Sequence, residues 1–279
     1  MKLSASEFTQ CPNKAITLLG MSGIGKTTLA NKLPKSKWFH YSGDYRIGTK
    51  YLEEPILDNI KERAMEVVFL KELLKTDSIY ISSNITVDNL APISTFLGKI
   101  GAPSKGGLNP KEFLRRQELH KKAETEAMQD VPGFIEKSKR IYGYDHFIND
   151  AGGSICELAG TDAMDALVKN TMIVYIEDNQ EVKDTLIERA KSYPKPLYYN
   201  TDFLMRNLEN YENEMNESSE TMDPDEFVRW IFPKLLEYRK TKYESIASQH
   251  GYTIQASDAI HVNNESDFLE LIVKAIESQ

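Results

Sequence analysis

The chain has 279 residues, of which 41% are hydrophobic and 27% are charged, so it is long and apolar enough to bury a sizeable core. Its formal net charge of -8 argues against a protein dedicated to binding nucleic acid, which would have to neutralise many phosphates. Two cysteines are too few for a disulfide framework, and the sequence shows neither a secretory signal nor an apolar run of membrane-spanning length. We therefore expect a cytoplasmic protein with no membrane contact.

The first predicted elements are a strand, a glycine-rich loop and a helix. Residues 14–20 are a short apolar run that ends in glycine, which is typical of a fully buried strand, and residues 26–33 continue as a helix that Pro34 ends. A second, aromatic-rich strand is predicted at residues 37–42, and a polar turn is predicted after it. From residue 55 to about residue 74, apolar residues return at helical spacing.

The middle of the chain is predicted to be mainly helical. Residues 78–86 are compatible with a strand, and a short helix and a glycine-rich loop are expected between this segment and Asn109. Asn109 is a suitable helix cap with a proline directly after it. A long, charged helix is therefore predicted from there to about Tyr142, with a break at the Pro-Gly pair 132–133.

The last part of the chain returns to strands that are continuous apolar runs. Strands are predicted at residues 144–150, 171–177 and 252–256, with helices between them and a final amphipathic helix at 265–277. Residues 209–226 carry eight acidic residues and no basic one, and they are predicted to form a solvated loop. Apolar strands that alternate with helices indicate a parallel sheet covered by helices on both faces.

Residues 20–27 match the phosphate-binding pattern G-x-x-x-x-G-K-[ST] at every fixed position. In this pattern the glycines let the backbone wrap around a phosphate, Lys26 reaches the β- and γ-phosphates, and the hydroxyl of Thr27 ligates Mg²⁺. The location of the loop between a buried strand and a helix favours this interpretation over an ordinary glycine-rich turn. The predicted nucleotide-binding residues of the loop are Gly20, Ser22, Gly23, Ile24, Gly25, Lys26, Thr27 and Thr28.

A second carboxylate near the metal is expected at the end of an apolar strand. Asp150 ends the run His-Phe-Ile-Asn-Asp and is the predicted second Mg²⁺ residue, directly or through water. The alternative is an aspartate that caps a turn or helix before Ala151. Asn149, directly before it, is a candidate for either role.

Two other classes of P-loop protein are disfavoured because their motifs are missing. Residues 150–153 fit the D-x-x-G pattern of GTPases, but no guanine-reading N-K-x-D segment follows, and the L-S-G-G-Q signature of transport ATPases is absent. The predicted nucleotide is therefore ATP, bound with Mg²⁺. The predicted fold is the α/β three-layer sandwich of P-loop NTPases with a parallel sheet, as a single domain over 1–279 with a large helical insertion at about 55–142.

Beyond the loop, the sequence resembles the shikimate kinase and gluconate kinase branch of P-loop phosphotransferases. In that branch an aspartate at the end of the second strand binds the acceptor hydroxyl. Asp44, in the segment Tyr-Ser-Gly-Asp-Tyr-Arg, stands at the corresponding position of this chain, and Arg46 follows two residues later. The pair Gly152 and Gly153 matches a glycine pair that approaches the acceptor. Residues 173–199 are similar to the strand that comes after this glycine pair in the branch and to the lid that follows that strand.

The resemblance implies further site residues. Arg189 is implied to pack near the adenine, Lys195 to take the place of a lid arginine that contacts phosphate, and Arg239 to bind the acceptor. Residues 256–258 are implied to border the adenine. The lysine in the lid, the aspartate before the glycine pair and the longer insertion depart from the branch, and they argue against shikimate as the substrate.

The function predicted from these features is transfer of the γ-phosphate of Mg-ATP to a hydroxyl of a small molecule. Lys26, Mg²⁺ and a cation of the lid would stabilise the charge on the group in transfer. Asp44 would orient the acceptor hydroxyl and accept its proton, and Arg46 would bind an anionic or polar part of the acceptor. Asp44 and Arg46 could instead form an ion pair in a surface turn.

Two alternative functions stay open. A nucleoside or nucleotide kinase would need an arginine-rich phosphate pocket, to which Arg46, Arg115 and Arg116 could contribute. Arg115 and Arg116, with His120, could also cap a small-molecule pocket or lie on a solvated helix face. An ATP-hydrolysing regulatory protein would instead bind a partner through the long charged helices. For the two kinase hypotheses the partner is a small-molecule or nucleotide acceptor. A homodimer is compatible with all three hypotheses.

Overall fold

Five strands form the sheet at the centre of the computed structural model, which describes residues 1–279. They are β1 (Ala15–Leu19), β2 (Trp38–Ser42), β3 (His146–Asp150), β4 (Met172–Glu177) and β5 (Gly251–Gln255). The strand order is β2-β3-β1-β4-β5, and every neighbouring pair is parallel. The α/β class and the parallel sheet predicted from the apolar runs are confirmed.

The α-helices account for most of the remaining chain. None of them combines the length and the hydrophobicity that are needed to span a bilayer. Short 3-10 turns are found at Pro103–Lys105 and Ile155–Leu158, and a π-helical turn at Ile47–Tyr51. In chain order the helices are α1 (Ala5–Gln10), α2 (Lys26–Ala30), α3 (Gly43–Arg46), α4 (Glu53–Met65), α5 (Val68–Lys75), α6 (Ala91–Leu97), α7 (Pro110–Gln129), α8 (Val131–Tyr142), α9 (Asp162–Asn170), α10 (Gln180–Ser192), α11 (Thr201–Met215), α12 (Pro224–His250), α13 (Ala256–Ala259) and α14 (Glu265–Glu277).

The middle strand, β1, is buried along its whole length. Its sequence Ala-Ile-Thr-Leu-Leu is apolar at four of five positions, as a strand covered on both faces requires. The hydroxyls of Thr17 and Thr171 are 2.8 Å apart, and Thr171 donates to the carbonyl oxygen of Leu167 at 2.8 Å. Thr17 therefore donates to Thr171 and accepts a bond of 3.2 Å from Nδ2 of Asn149. This hydrogen bonding satisfies the polar group in the centre of the sheet.

The register of the sheet brings the carboxyl ends of three strands together. Asp150, the last residue of β3, is opposite Leu18 of β1 on one side and Ser42 of β2 on the other. Ligands of parallel α/β sheets bind outside the carboxyl ends of the strands. The loops that follow β1 and β3 therefore emerge side by side at the edge where a ligand site is expected.

The chain divides into two compact units. The first contains the sheet and consists of residues 1–43, 124–194 and 225–279, and the second consists of residues 44–123 and 195–224. Helix α8 belongs to the first unit because it packs on β2 and β3. The predicted insertion at 55–142 shares residues 55–123 with the second unit. The second unit also contains residues 44–54 and 195–224, and it lacks residues 124–142. The single-domain organisation stays a prediction.

The prediction of an acidic loop at 209–226 is wrong at both ends, because α11 continues to Met215 and α12 begins at Pro224. Leu204, Leu208 and Tyr211 recur at helical spacing on this helix and are buried. Asp202, Glu209 and Glu214 of this helix are exposed, and Glu212 is half-buried. A count of charges carries no information about this periodicity, which is why the composition suggested a loop.

Two other predicted segments also differ from the structure. The polar turn expected after β2 is helical instead, with α3 followed by the π-helical turn, and Ile47 and Gly48 are buried within it. Residues 78–86 form no strand, apart from an isolated bridge between Thr86 and Asn89. None of these nine side chains is buried. The segment therefore has neither the covered face nor the neighbouring strand that a stable strand needs.

The amino end of β3 contains a contact that depends on pH. The backbone N–H of Lys14 donates to Nδ1 of His146 at 3.1 Å, so this nitrogen must be unprotonated. Burial, with a smaller contribution from the charge of Lys14, lowers the pKa of His146 below its ordinary value of 6.5. The unfolded chain therefore takes up a proton at higher pH than the folded chain does.

We expect the folded state to lose stability as the pH falls through 6.5, until the folded-state pKa of His146 is passed. Between about pH 7.5 and about pH 5.5, the melting temperature of the wild type should fall roughly 2 °C further than that of His146→Gln. His261→Gln, a change at an exposed histidine, is the control and should follow the wild type. An identical pH dependence in the wild type and His146→Gln would contradict the expectation.

Candidate functional site

Residues 20–25 form a tight loop between β1 and α2. Gly20, Gly23 and Gly25 have φ angles of 145°, 86° and 108°, which side-chain-bearing L residues rarely adopt. At Gly25 an added Cβ would meet no atom within 4 Å, so glycine is needed there for its backbone conformation and not for lack of space. The fixed glycines of the phosphate-binding pattern are thus required by the shape of this loop.

Lys26 brings a positive charge into the loop. It is the first residue of α2 and only 6% exposed. Its Nζ donates to the carbonyl oxygens of Gly20, at 2.7 Å, and Met21, at 3.0 Å. The ammonium group therefore lies over the loop and not in solvent.

Thr27 and Asp150 meet beside this loop. The hydroxyl Oγ1 of Thr27 donates to Oδ2 of Asp150 at 2.5 Å, and the carboxylate is largely buried. The contact follows from the register, because Asp150 is level with Leu18, just before the loop begins. Hydroxyl and carboxylate oxygens are ligands that Mg²⁺ prefers, and Mg²⁺ that is bound with a nucleotide needs only one or two of them from the protein.

A metal site built from protein side chains alone is not found. The structure has no group of three or more His, Cys, Asp or Glu side chains placed to hold a metal ion. The Thr27–Asp150 pair offers two oxygen atoms, fewer than the octahedral set of Mg²⁺, so a Mg²⁺ ion there would need phosphate or water ligands as well.

The loop after β3 touches the loop after β1. A Cβ on Gly153 would lie 2.6 Å from the backbone nitrogen of Ser22 and 2.9 Å from its Cβ, so only glycine permits this approach. The hydroxyl of Tyr243, on α12, lies 2.9 Å from the carbonyl oxygen of Gly153 and 3.1 Å from that of Gly20. Tyr243 thus connects the two loops.

Gly153→Ala is expected to destabilise the first unit by about 1–3 kcal/mol, because the added methyl group fits only if one loop moves. Denaturant unfolding measures this change. Since residues 20–27 are predicted to bind ATP, movement of this loop is also expected to weaken ATP binding, which calorimetric titration measures. Gly133→Ala is the control, since a Cβ on Gly133 in α8 meets no atom within 4 Å. A Gly153→Ala protein as stable as the Gly133→Ala protein would contradict the close approach.

A buried ion pair supports the loop after β3. The side chain of Arg239 is 2% exposed, and it donates from Nη1 to the carbonyl oxygen of Gly153 at 2.8 Å and from Nε to Oε1 of Glu157 at 3.2 Å. Lys242 pairs with the other oxygen of Glu157 at 3.0 Å. The resemblance implied that Arg239 binds the acceptor, but these internal bonds make it a residue that holds the loop in place.

Two side chains next to this ion pair are held in their neutral forms. Burial raises the pKa of the Cys156 thiol to about 12, and it raises the pKa of the Tyr243 hydroxyl well above its ordinary value. At neutral pH Tyr243 therefore keeps the proton that it donates to a loop carbonyl. Cys156 is not a thiolate and is unsuited to act as a nucleophile.

The other predicted nucleotide-binding residues of the first unit differ in exposure. Ser22 is exposed in the loop and Thr28 is exposed on α2, whereas Ile24 of the loop is buried. Arg189 is exposed on α10, so its side chain is accessible to a ligand. A role for these residues in binding ATP stays a prediction.

Three predicted site residues belong to the second unit. They are Asp44, Arg46 and Lys195. Asp44 and Arg46 are half-buried on α3, and the guanidinium of Arg46 lies 5.7 Å from the ring centroid of Tyr51. Lys195 is exposed in the segment between α10 and α11. Their catalytic and binding roles stay predictions.

The arginine pair on α7 is tied to one carboxylate. Nε of Arg115 and Nε of Arg116 donate to Glu112 at 2.8 and 2.7 Å, and these bonds, that of Arg115 first, lower the pKa of Glu112 to about 2. Arg116 is buried and also donates to the carbonyl oxygen of Phe96 at 2.6 Å. Arg116 is therefore structural, and Arg115 lies on a solvated face. His120 is buried.

Sequence reasoning missed three residues of the first unit that contact the loops or Asp150. They are His40, Glu157 and Tyr243. Tyr243 is 223 positions from Gly20, so no motif could connect the two. For His40, alternation along β2 predicts only that it shares a face with Ser42, and the strand order is needed to show that Ser42 is the neighbour of Asp150.

No protein-family model and no curated protein sequence matches the chain. Among solved structures, a shikimate kinase from Bacteroides thetaiotaomicron is similar, with 16% sequence identity over 95% of this chain and 97% of that chain. The TM-score of 0.37 is too low for this likeness to support a function. The geometry of the two loops is therefore the basis on which a function is proposed.

Proposed function

We propose that the protein is an ATP-dependent phosphotransferase that moves the γ-phosphate of Mg-ATP to a hydroxyl group of a small molecule. One observation carries the proposal: a glycine loop with positive φ angles, a buried ammonium over that loop and a hydroxyl–carboxylate pair beside it. Phosphoryl transfer depends mainly on positioning and charge neutralisation, which these groups can provide.

In this proposal the phosphates of ATP bind along the backbone of residues 20–27, with Nζ of Lys26 on the β- and γ-phosphate oxygens. The phosphate oxygens would replace the carbonyl oxygens of Gly20 and Met21 as acceptors for Lys26. The exchange is favourable, because a hydrogen bond between two charged groups is stronger than one to a neutral carbonyl. Arg189 and Lys195 are proposed to contact the adenine and the phosphates, respectively.

Mg²⁺ would be held by the hydroxyl of Thr27 and the carboxylate of Asp150, directly or through water. When bound, the metal neutralises charge on the β- and γ-phosphates. The 2.5 Å bond between Thr27 and Asp150 supports this assignment, because it keeps both oxygen atoms at one place before any ligand binds.

The acceptor is proposed to bind at Asp44 and Arg46, which follow the carboxyl end of β2. In the transfer, the acceptor oxygen bonds to the γ-phosphorus, the bond from that phosphorus to the bridging oxygen breaks, and ADP leaves. Asp44 takes the proton of the acceptor hydroxyl, and Arg46 binds a polar or anionic part of the acceptor. Lys26 stabilises the negative charge on the group in transfer.

ADP release from Mg-ATP tests the proposal against a panel of hydroxylated acids, sugars, nucleosides and nucleotides. One class of acceptor is expected to raise the rate, and Asp44→Asn is expected to lower that rate about 10²–10⁴-fold. Asp88→Asn, a change at an exposed aspartate of the same unit, should behave as the wild type.

The panel also separates the alternatives. Stimulation by nucleosides or nucleotides alone would identify a nucleoside or nucleotide kinase. If no acceptor raises the rate and Asp44→Asn releases ADP as fast as the wild type, the proposed transfer is wrong. An ATP-hydrolysing regulatory protein would then be the better account.

A further inference from the structure

His40 lies beside Asp150 with a nitrogen that no hydrogen bond uses. Its Nε2 is buried, has no hydrogen-bond partner, and is 3.6 Å from Oδ2 of Asp150. A buried polar atom without a partner costs roughly 1–3 kcal/mol. Such groups are rare in folded proteins, and a catalytic or ion-binding role is one explanation for them.

The sheet itself directs His40 toward the carboxylate. Ser42 of β2 is opposite Asp150, and His40 is opposite Ile148, two residues earlier. Side chains alternate between the two faces of a strand, so His40, Ser42 and Asp150 share one face. From the neighbouring strand, the imidazole ring therefore extends along this face to the end of β3.

The oxygen that His40 approaches is the one that Thr27 already binds. Thr27 donates to Oδ2 of Asp150 at 2.5 Å, and a carboxylate oxygen has room for a second donor. A neutral histidine with its proton on Nε2 can supply that donor. The separation has to shorten by only a few tenths of an ångström for a hydrogen bond to form.

We infer that His40 is a positioning residue of the magnesium site, whose Nε2–H holds the Asp150 carboxylate in the orientation that serves the metal. The inference rests on the proposed function, because it concerns the Mg²⁺ that is bound with ATP. Hydrogen-bond partners of ligating carboxylates fix the ligand orientation, and losing one commonly costs about 10–100-fold in metal affinity or activity.

Nucleotide binding at increasing Mg²⁺ concentrations tests this role without any turnover. A fluorescent ATP analogue reports the Mg²⁺ concentration for half-maximal binding. His40→Leu removes the donor and is expected to raise this concentration about tenfold, while His40→Gln, which retains an N–H at similar reach, stays within about threefold of the wild type. Affinity for the analogue without Mg²⁺ should be unchanged. His146→Leu, at the other end of β3, is the control and should match the wild type.

Asp150→Asn separates failure of this inference from failure of the proposed function. Asp150→Asn should itself raise the Mg²⁺ requirement, and adding His40→Leu should raise it no further, because His40 acts through Asp150. If His40→Leu matches the wild type, or if its effect persists in the Asp150→Asn background, the role of His40 is wrong and the metal site stands. If Asp150→Asn also matches the wild type, the metal site is wrong and the inference is overturned with it.

The leucine variant has a substitute in case it does not fold. His40→Asn is polar but too short to reach Asp150, so it should raise the Mg²⁺ requirement as His40→Leu does. A His40→Asn protein with the wild-type requirement would overturn the inference.

Discussion

Lys26→Met is expected to lower kcat/KM for ATP about 10²–10³-fold, which is the usual loss when a preorganised charge-stabilising donor is removed from a reacting group. Methionine keeps much of the length and the apolar volume of the lysine stem, and it removes the ammonium that lies over residues 20–25. Calorimetric titration should also show weaker ATP binding, because the β- and γ-phosphates would lose the cation that the proposed function assigns to them. Steady-state kinetics with an acceptor found in the panel measure the main effect.

Lys32→Met is the matched control for this change, since Lys32 follows the same helix and is exposed. Its kcat/KM should equal that of the wild type. Melting temperatures of both variants show whether the fold is kept, because Lys26 also donates to the carbonyls of Gly20 and Met21. A folded Lys26→Met protein with wild-type kcat/KM would contradict the assignment of the loop.

Arg239→Met is expected to lower the free energy of unfolding by about 3–5 kcal/mol, because it removes one partner of a buried ion pair. The variant leaves Glu157 buried, at 1% exposure, with a charge that Arg239 no longer compensates. Gly153 loses a hydrogen-bond donor at the same time. Lys242 still pairs with Glu157 at 3.0 Å, so we expect a loss near the lower end of that range.

A double variant distinguishes the ion pair from simple packing. Arg239→Met combined with Glu157→Gln should be more stable than Arg239→Met alone, because the buried charge of Glu157, to which Lys242 is then the remaining paired cation, is absent. Arg140→Met removes an exposed partner of Glu136 and should cost no more than about 1 kcal/mol. Urea unfolding of the four proteins gives the comparison. An Arg239→Met protein as stable as Arg140→Met would show that the buried pair contributes nothing.

The parts of the fold that could be predicted from the sequence have local signals. Strands β1 and β4 are buried on both faces, so each is a continuous apolar run that a short window of sequence reveals. The loop at residues 20–25 was predicted from fixed residues at fixed spacing, and its glycines have the positive φ angles of a tight loop. Asp150 was found because it ends an apolar strand, although its metal role stays a prediction.

The parts that could not be predicted depend on contacts between distant residues. Arg239 and Glu157 are 82 positions apart, and no spacing rule indicates that they form a buried pair that supports Gly153. His40 stands within the aromatic-rich strand β2, and only the strand order β2-β3-β1 shows that it faces Asp150. The missed part of α11 has a different cause, since its many acidic residues masked the apolar stripe on its buried face.

The fate of the γ-phosphate is the most direct test of the proposed transfer. ATP with a heavy oxygen isotope in its γ-phosphate is incubated with the protein, Mg²⁺ and the acceptor panel, and mass spectrometry locates the isotope. We expect the label in a new phosphomonoester with the wild type, and a large loss of that product with Lys26→Met. Label found only in inorganic phosphate, or retained in ATP with every acceptor, would contradict phosphoryl transfer to a small-molecule hydroxyl.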